Sequence, residues 1–203
     1  QLSAFMQQFK LRAGDTLIGL EKQFLASPFG WQGLRTHNRI GSPMRMPIGT
    51  PLRIPESWLR VEPRTARVVA LQGEVTLDGR PLVVDAKVPA GSVLRTSGEA
   101  FVTLVMPDES RLTVQPGSEA RLDKVQGFRG FTGQNTQIHL ERGRVETSVA
   151  AQRGPAARYQ IRTPTTLIGV RGTAFRVGSD AVSQAAQAAV TGGEVRMRSA
   201  SGA

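Results

Sequence analysis

The chain has 203 residues, no cysteine and a formal net charge of +10. Without Cys there are no disulfides, thiolate nucleophiles or zinc–thiolate centres, and no apolar run reaches the length a membrane-spanning helix needs. The excess of Arg favours a polyanionic neighbour, whether nucleic acid, acidic headgroups or an anionic cell wall. The basic residues are spread along the chain with no block of like charge, so most read as solvated strand faces. Phe128-Arg129-Gly130-Phe131 is the one place where aromatic and basic residues interleave, as a nucleic-acid site would want. The opening Gln1-Leu2-Ser3-Ala4-Phe5-Met6 lacks the basic start and long apolar middle of an export signal, and Gln1 fits the first residue left after cleavage of one.

Residues 9–55 carry helical apolar spacing between two strand-like ends. A short strand around Phe9-Lys10-Leu11 leads into a Gly14-Asp15 turn and a helix on which Leu17, Leu20 and Phe24 face a core. Asp15 stands just before that helix, where a carboxylate accepts from first-turn N–H groups. Pro28 stops the helix. Gly30 and Trp31 open a second one, which runs to about His37, and Asn38 sits where helix ends often turn left-handed. Pro43, Pro47, Pro51 and Pro55 force extended backbone, with Leu52 and Ile54 on a closing strand. Residues 57–65, bounded by Pro55 and Pro63, read as a linker, with Trp58 free to fold back on a neighbour.

From Ala66 the pattern becomes short alternating runs broken by turn residues, the mark of an all-β region. Asp78-Gly79 predicts a tight hairpin, Pro107-Asp108-Glu109-Ser110 a second, and Glu141-Arg142-Gly143 a third between Ile138–Leu140 and Val145–Val149. Gly127, Gly130 and Gly133 predict a longer, mobile loop. Tyr159–Arg162, Ala174–Val177 and Val195–Met197 complete the strands, and Gln184–Ala189 fits either a loop or a helical turn.

The first quarter, through Phe9-Lys10-Leu11-Arg12-Ala13-Gly14-Asp15-Thr16-Leu17 and Met46-Pro47-Ile48-Gly49-Thr50-Pro51-Leu52, resembles a LysM module. The resemblance implies a βααβ domain over 9–56 that binds N-acetylglucosamine-containing glycan, above all peptidoglycan, in a shallow groove between two loops. By motif position the glycan-binding residues are Gly14, Asp15, Thr16 and Leu17 on one wall, and Met46, Pro47 and Ile48 on the other. The bland reading of the same residues is a helix cap and a core Ile.

The β region, about 66–198, is similar to the FecR family. The similarity rests on Val68 through Gly73-Glu74-Val75, on Leu94-Arg95-Thr96-Ser97-Gly98-Glu99-Ala100 with Met106-Pro107-Asp108 and Ser110-Arg111-Leu112-Thr113-Val114, and on Thr163-Pro164-Thr165-Thr166-Leu167-Ile168-Gly169-Val170-Arg171-Gly172-Thr173-Ala174-Phe175. It implies an all-β domain, either a jelly-roll-like sandwich or a short β-solenoid. Within the signature, Val170, Arg171, Gly172, Thr173 and Phe175 read as structural, with Arg171 pinning a turn and Phe175 filling the core. Family members include periplasmic regions of sigma-factor regulators that receive a signal from outer-membrane transporters. Nothing here resembles the cytoplasmic anti-sigma segment of those regulators, and a LysM-like module stands in its place.

Enzyme chemistry finds no support in the motifs. His37 and His139 fall in different predicted domains, no third ligand stands near the His139/Glu141 pair, and Gly169-Val170-Arg171-Gly172-Thr173 lacks the Lys and the strand-to-helix setting of a phosphate loop. The expectation is a non-enzymatic protein of the periplasm or envelope of a Gram-negative bacterium, without cofactor, metal or membrane span. Its expected partners are peptidoglycan and another envelope protein, not nucleic acid. The alternatives are a structural part of an envelope assembly that does not bind sugar, and a periplasmic module of a FecR-type signalling relay.

Overall fold

A computed structural model of the chain describes residues 6–149, 158–171, 174–179, 186–190 and 194–199. Their contacts fall into two compact units. The first takes in the chain to Glu62 together with Gly127–Thr132, and the second begins at Pro63 and holds most of the remaining chain.

The first unit has the element order β1 (Met6–Lys10), α1 (Leu17–Phe24), α2 (Trp31–His37), β2 (Pro51–Pro55). β1 and β2 pair antiparallel, with Phe9 opposite Leu52 and Gln7 opposite Ile54. That register turns Leu52 and Ile54 inward to meet Leu17 and Leu20 of α1 and Leu34 of α2. α1 begins at Thr16, whose hydroxyl accepts from Gly19 N–H at 3.0 Å. Asp15 is therefore not the helix cap. Its carboxylate turns back to Arg12 N–H at 2.7 Å and closes the preceding turn. α2 starts on Gly30, which has no capping side chain, and the missing acceptor is supplied from α1, where Glu21 Oε2 takes Trp31 N–H at 2.8 Å.

The segment 57–65 is structured rather than a linker. Glu56–Trp58 forms one 3-10 turn, Leu59 is buried in the first unit's core, and Arg60 N–H donates to Phe24 C=O. Trp58 stacks on Phe29 at 5.2 Å and lies against Gly33 of α2. Gly127–Thr132 is likewise a tight turn and not a long loop. Its Phe128 is buried in the same core, and Phe131 packs edge-on against Phe9 and Phe24.

The second unit is built from strands, and alternation explains nearly all of them. β3 (Val61–Pro63) straddles its start. Then come β4 (Thr65–Gln72), β5 (Val75–Leu77), β6 (Arg80–Pro81), β7 (Lys87–Pro89), β8 (Val93–Thr96), β9 (Phe101–Val105) and β10 (Arg111–Val114). The long pair β11 (Glu119–Phe128) and β12 (Phe131–Ser148) follows, and β13 (Arg158–Arg162), β14 (Thr166–Arg171), β15 (Ala174–Ser179), β16 (Ala186–Val190) and β17 (Glu194–Ser199) complete it. The hydrogen-bonded order β6-β5-β8-β11-β12-β10-β9-β4-β7, with β13–β17 branching from β12, curls around one apolar core that includes Val68, Leu94, Leu104, Leu112, Ile138 and Ile161. The β12–β13 ladder is parallel, whereas the ladders of β10 with β9 and β12, β8 with β5 and β11, β4 with β7 and β9, β5 with β6, β15 with β12 and β16, and β14 with β13 and β17 are antiparallel. A solenoid, which stacks parallel coils, does not fit that pattern.

Two hairpins stand where turn chemistry placed them. Asp78 and Gly79 both have positive φ, as a type I′ turn requires, and β9 and β10 pair across a turn with Glu109 at φ 66°. The third expected hairpin is absent, because Gly143 lies inside β12. Val83 and Val84 are exposed and outside any strand, and Gln184–Ala189 is neither loop nor helical turn in its described part, which is β16.

β12 carries two sets of partners. Asn135–His139 pair with β13, whereas Gly143–Ser148 pair with β15 and Val145–Ser148 also with β10. The change falls at Gly143, which has φ +90° and rests on Ser118 so closely that an added Cβ would meet Ser118 Cα at 2.6 Å. Ser118 Oγ accepts from Arg144 N–H at 2.9 Å and holds the crossing in place. Gly143→Ala combines a disfavoured φ with a backbone clash and is expected to cost about 3 kcal/mol of unfolding free energy. Chemical denaturation measures it, and a loss below about 0.5 kcal/mol, the ordinary scatter of surface changes, would contradict this account.

Candidate functional site

The candidate glycan-binding residues lie on two turns that the β1–β2 ladder brings side by side. Beyond Lys10 and Pro51 the ladder continues through Leu11, whose N–H donates to Thr50 C=O at 3.1 Å and whose C=O accepts from Gly49 N–H at 2.7 Å. Residues 12–16 leave from one side of that link and residues 45–49 arrive from the other. Gly14 has φ +85° and Gly49 φ +83°, a conformation that costs a glycine nothing, and nothing lies within 4 Å of a Cβ built on either. The chain is thus bare at both turns.

The individual residues divide by role. Gly14 and Thr16 are exposed, and Asp15 is half-buried with its carboxylate held by Arg12 N–H. Leu17 is only 2% exposed and belongs to the core, so its side chain is not offered to a ligand. On the other wall Met46 is half-buried against the core and Pro47 is exposed, its C=O accepting from Thr50 Oγ1 at 2.7 Å. Ile48 is 73% exposed, which removes the bland reading that it is core. Ile18, the second residue of α1, is another exposed apolar side chain of this unit. The two turns thus place the exposed Gly14 and Thr16 on one stretch of chain and the exposed Pro47 and Ile48 on the other.

Asn38 does not take the left-handed conformation. That falls to Arg39, with φ +54°. Asn38 instead joins α2 to β2: its amide donates to Leu34 C=O and Arg53 C=O, both at 2.9 Å, and accepts from Arg53 N–H at 2.6 Å. The residues that matter most for bringing the turns together, Leu11, Gly49 and Thr50, act through their backbones. A strand-pairing register would have been the only signal for them in the sequence.

In the second unit, Thr96 and Thr163 of the FecR-like segments hold turns through their hydroxyls. Thr96 Oγ1 donates to Gln115 C=O at 2.7 Å and accepts from Ser118 N–H at 2.9 Å, so the 94–100 segment grips the turn before β11. Thr163-Pro164-Thr165-Thr166 joins β13 to β14, with Thr166 N–H donating to Thr163 Oγ1 at 3.0 Å. Val170 and Arg171 end β14, opposite Val195 and Glu194, and Phe175 lies in β15 opposite Thr147. The side chains of these three, and Gly172 and Thr173 altogether, lie outside the described residues.

Titratable groups form no reactive cluster among the described residues. His139 Nε2 and Glu141 Oε2 are 2.9 Å apart on β12, and no three described His, Asp or Glu side chains converge as metal ligands. Burial pushes the Tyr159 phenol well above its ordinary range, and it shares a 2.7 Å hydrogen bond with Thr147 Oγ1 inside the core. The Asp123 carboxylate, hydrogen-bonded at 2.6 Å, holds Arg121 still more firmly protonated. No described helix is long and apolar enough to cross a membrane.

The family model described as FecR protein matches residues 92–196, just over half of the chain, and covers the curled sheet from β8 to β17. The chain belongs to the FecR family. A crystal structure of a candidate anti-sigma factor from Parabacteroides distasonis is similar to part of this FecR-family chain at 17% identity. The match covers 54% of this chain and 48% of that one, with a TM-score of 0.44, so this chain spans about half of that protein's length. No protein with a curated description matches.

Proposed function

We propose that this chain is a non-enzymatic module of a cell-envelope signalling relay, in which the FecR domain works by binding another envelope protein. The observation that carries the reading is the family match itself, which runs from β8 into β17 of the curled sheet and whose members include envelope-associated regulators. The chemistry is consistent with a binding role. The motif residues that are described are spent on holding turns, and the charged side chains of the sheet form scattered pairs such as Arg95–Glu119 and Arg121–Asp123. The proposed location is the periplasm or envelope of a Gram-negative bacterium. Removing the chain from its native host should alter the transcription of a defined gene set, and returning the full chain should restore it. RNA sequencing reads the result, and an unchanged transcript profile would end the relay reading and leave the structural-part alternative.

A second activity is favoured by the Leu11 link between the two turns. In this reading the βααβ unit is a LysM-like module that holds the chain on peptidoglycan, with Gly14, Asp15 and Thr16 facing Pro47 and Ile48 across a shallow cleft. Leu17 and Met46 support the two walls from the core side. Grooves of this kind bind weakly one at a time, so retention on a polymeric wall is the suitable readout. The full chain should pellet with purified peptidoglycan sacculi at moderate salt. Ile48→Asp, made at a side chain already in solvent, should reduce retention about fivefold, the equivalent of ~1 kcal/mol of apolar cover. Absence of pelleting at any salt would contradict the anchor and leave the relay reading untouched.

A further inference from the structure

The first unit distributes its charge unevenly. Every Lys and Arg from residue 6 to residue 62 is exposed, whereas none of the acids in that span, Asp15, Glu21, Glu56 and Glu62, is. The acids are also occupied or withdrawn. Asp15 accepts from Arg12 N–H, Glu21 accepts from Trp31 N–H, Glu56 is buried, and Glu62 faces Arg129 at 3.8 Å. The charged residues that this unit exposes fully between residues 6 and 62 are therefore all cationic. The bland reading is a solvated surface with no partner.

Position argues for more than that. Lys10 ends β1 at the Leu11 link, and Arg12 follows it into the first turn. Arg45 closes the Ser42–Arg45 turn that leads directly into Met46-Pro47-Ile48. Among the described residues no carboxylate lies within 4.0 Å of any of the three, and a cation left without a carboxylate beside these two turns is available to a ligand's charge.

We infer that the cleft selects a glycan carrying free carboxylates over a neutral one, with Lys10, Arg12 and Arg45 as the selecting groups. The inference rests on the glycan-binding reading above and adds the ligand's charge to it. Acetamide recognition by the two turns is common to neutral and acidic amino-sugar chains. The cationic rim is the feature that would tell them apart, by attraction that ionic strength screens.

The test compares three probes against the full chain by calorimetry: peptidoglycan glycan strands with their carboxylates free, the same strands with the carboxylates converted to neutral amides, and chitohexaose. The free-acid strands should bind about tenfold more tightly than the amidated strands at low salt, and the gap should close at high salt. Arg12→Gln and Arg45→Gln should each weaken binding of the acid strands about two- to fivefold and leave chitohexaose binding unchanged. Thermal melting of both variants checks that the fold is kept. Equal, salt-independent affinity for acid and amidated strands would overturn the inference while leaving glycan binding intact. Failure of all three probes to bind would overturn both. Binding of DNA or of phosphatidylglycerol vesicles in preference to acid strands would also overturn it, showing an unselective basic surface.

Discussion

The second unit depends on one strand doing two jobs. β12 is 18 residues long, and it can belong to both halves of the sheet only because its backbone turns at Gly143. There the main chain lies directly on Ser118, and a single hydroxyl, Ser118 Oγ, fixes the adjoining Arg144 peptide. β10 and β15 pair on one side of this bend and β13 before it, so the strands of the family's last signature segment all take their register from β12 directly or at one remove. A side chain at 143 would separate the two backbones. The short loops and small buried hydroxyls of Thr96, Ser118 and Thr163 serve the same end, since each satisfies a backbone group that a bending sheet would otherwise leave unpaired.

Sequence periodicity revealed the all-β character, the Asp78-Gly79 and Pro107–Ser110 hairpins and the two helices, because each rests on a local signal: positive φ, a proline, or apolar spacing. It failed where a distant contact decides. Glu141-Arg142-Gly143 has hairpin composition, yet the glycine serves a close backbone approach to Ser118, far back in the chain, and not a turn. Gly127–Thr132 looks loose in sequence but is tight, because Phe128 joins a core and Phe131 finds an aromatic partner in Phe24. Trp58 and Leu59 read as linker for the same reason: their burial against Gly33 and Leu25 has no periodic signature over so short a stretch. At the candidate site, the motif pointed to two turns and misassigned the helix cap. Asp and Thr are both good caps, and only geometry shows that Asp15 is used by Arg12 N–H and Thr16 by Gly19 N–H.

The two units differ in how they use charge. In the second, Arg95, Arg121 and Arg176 find carboxylates on their own or neighbouring strands, an arrangement that neutralises a sheet face. In the first, Asp15 and Glu21 are spent on backbone N–H groups, and Lys10, Arg12 and Arg45 have no carboxylate within 4.0 Å among the described residues. Exposed ion pairs contribute little to stability, so the contrast is not explained by folding alone.

We propose a division of labour, with the βααβ unit holding glycan and the FecR sheet left free for a protein. A nitrogen-15 NMR titration of the full chain with carboxylate-bearing peptidoglycan strands tests it most directly. The account predicts shifted amide signals at residues 12–16 and 45–49, with signals from the second unit unmoved. Shifts concentrated in the curled sheet, or none in either turn at saturating glycan, would contradict it.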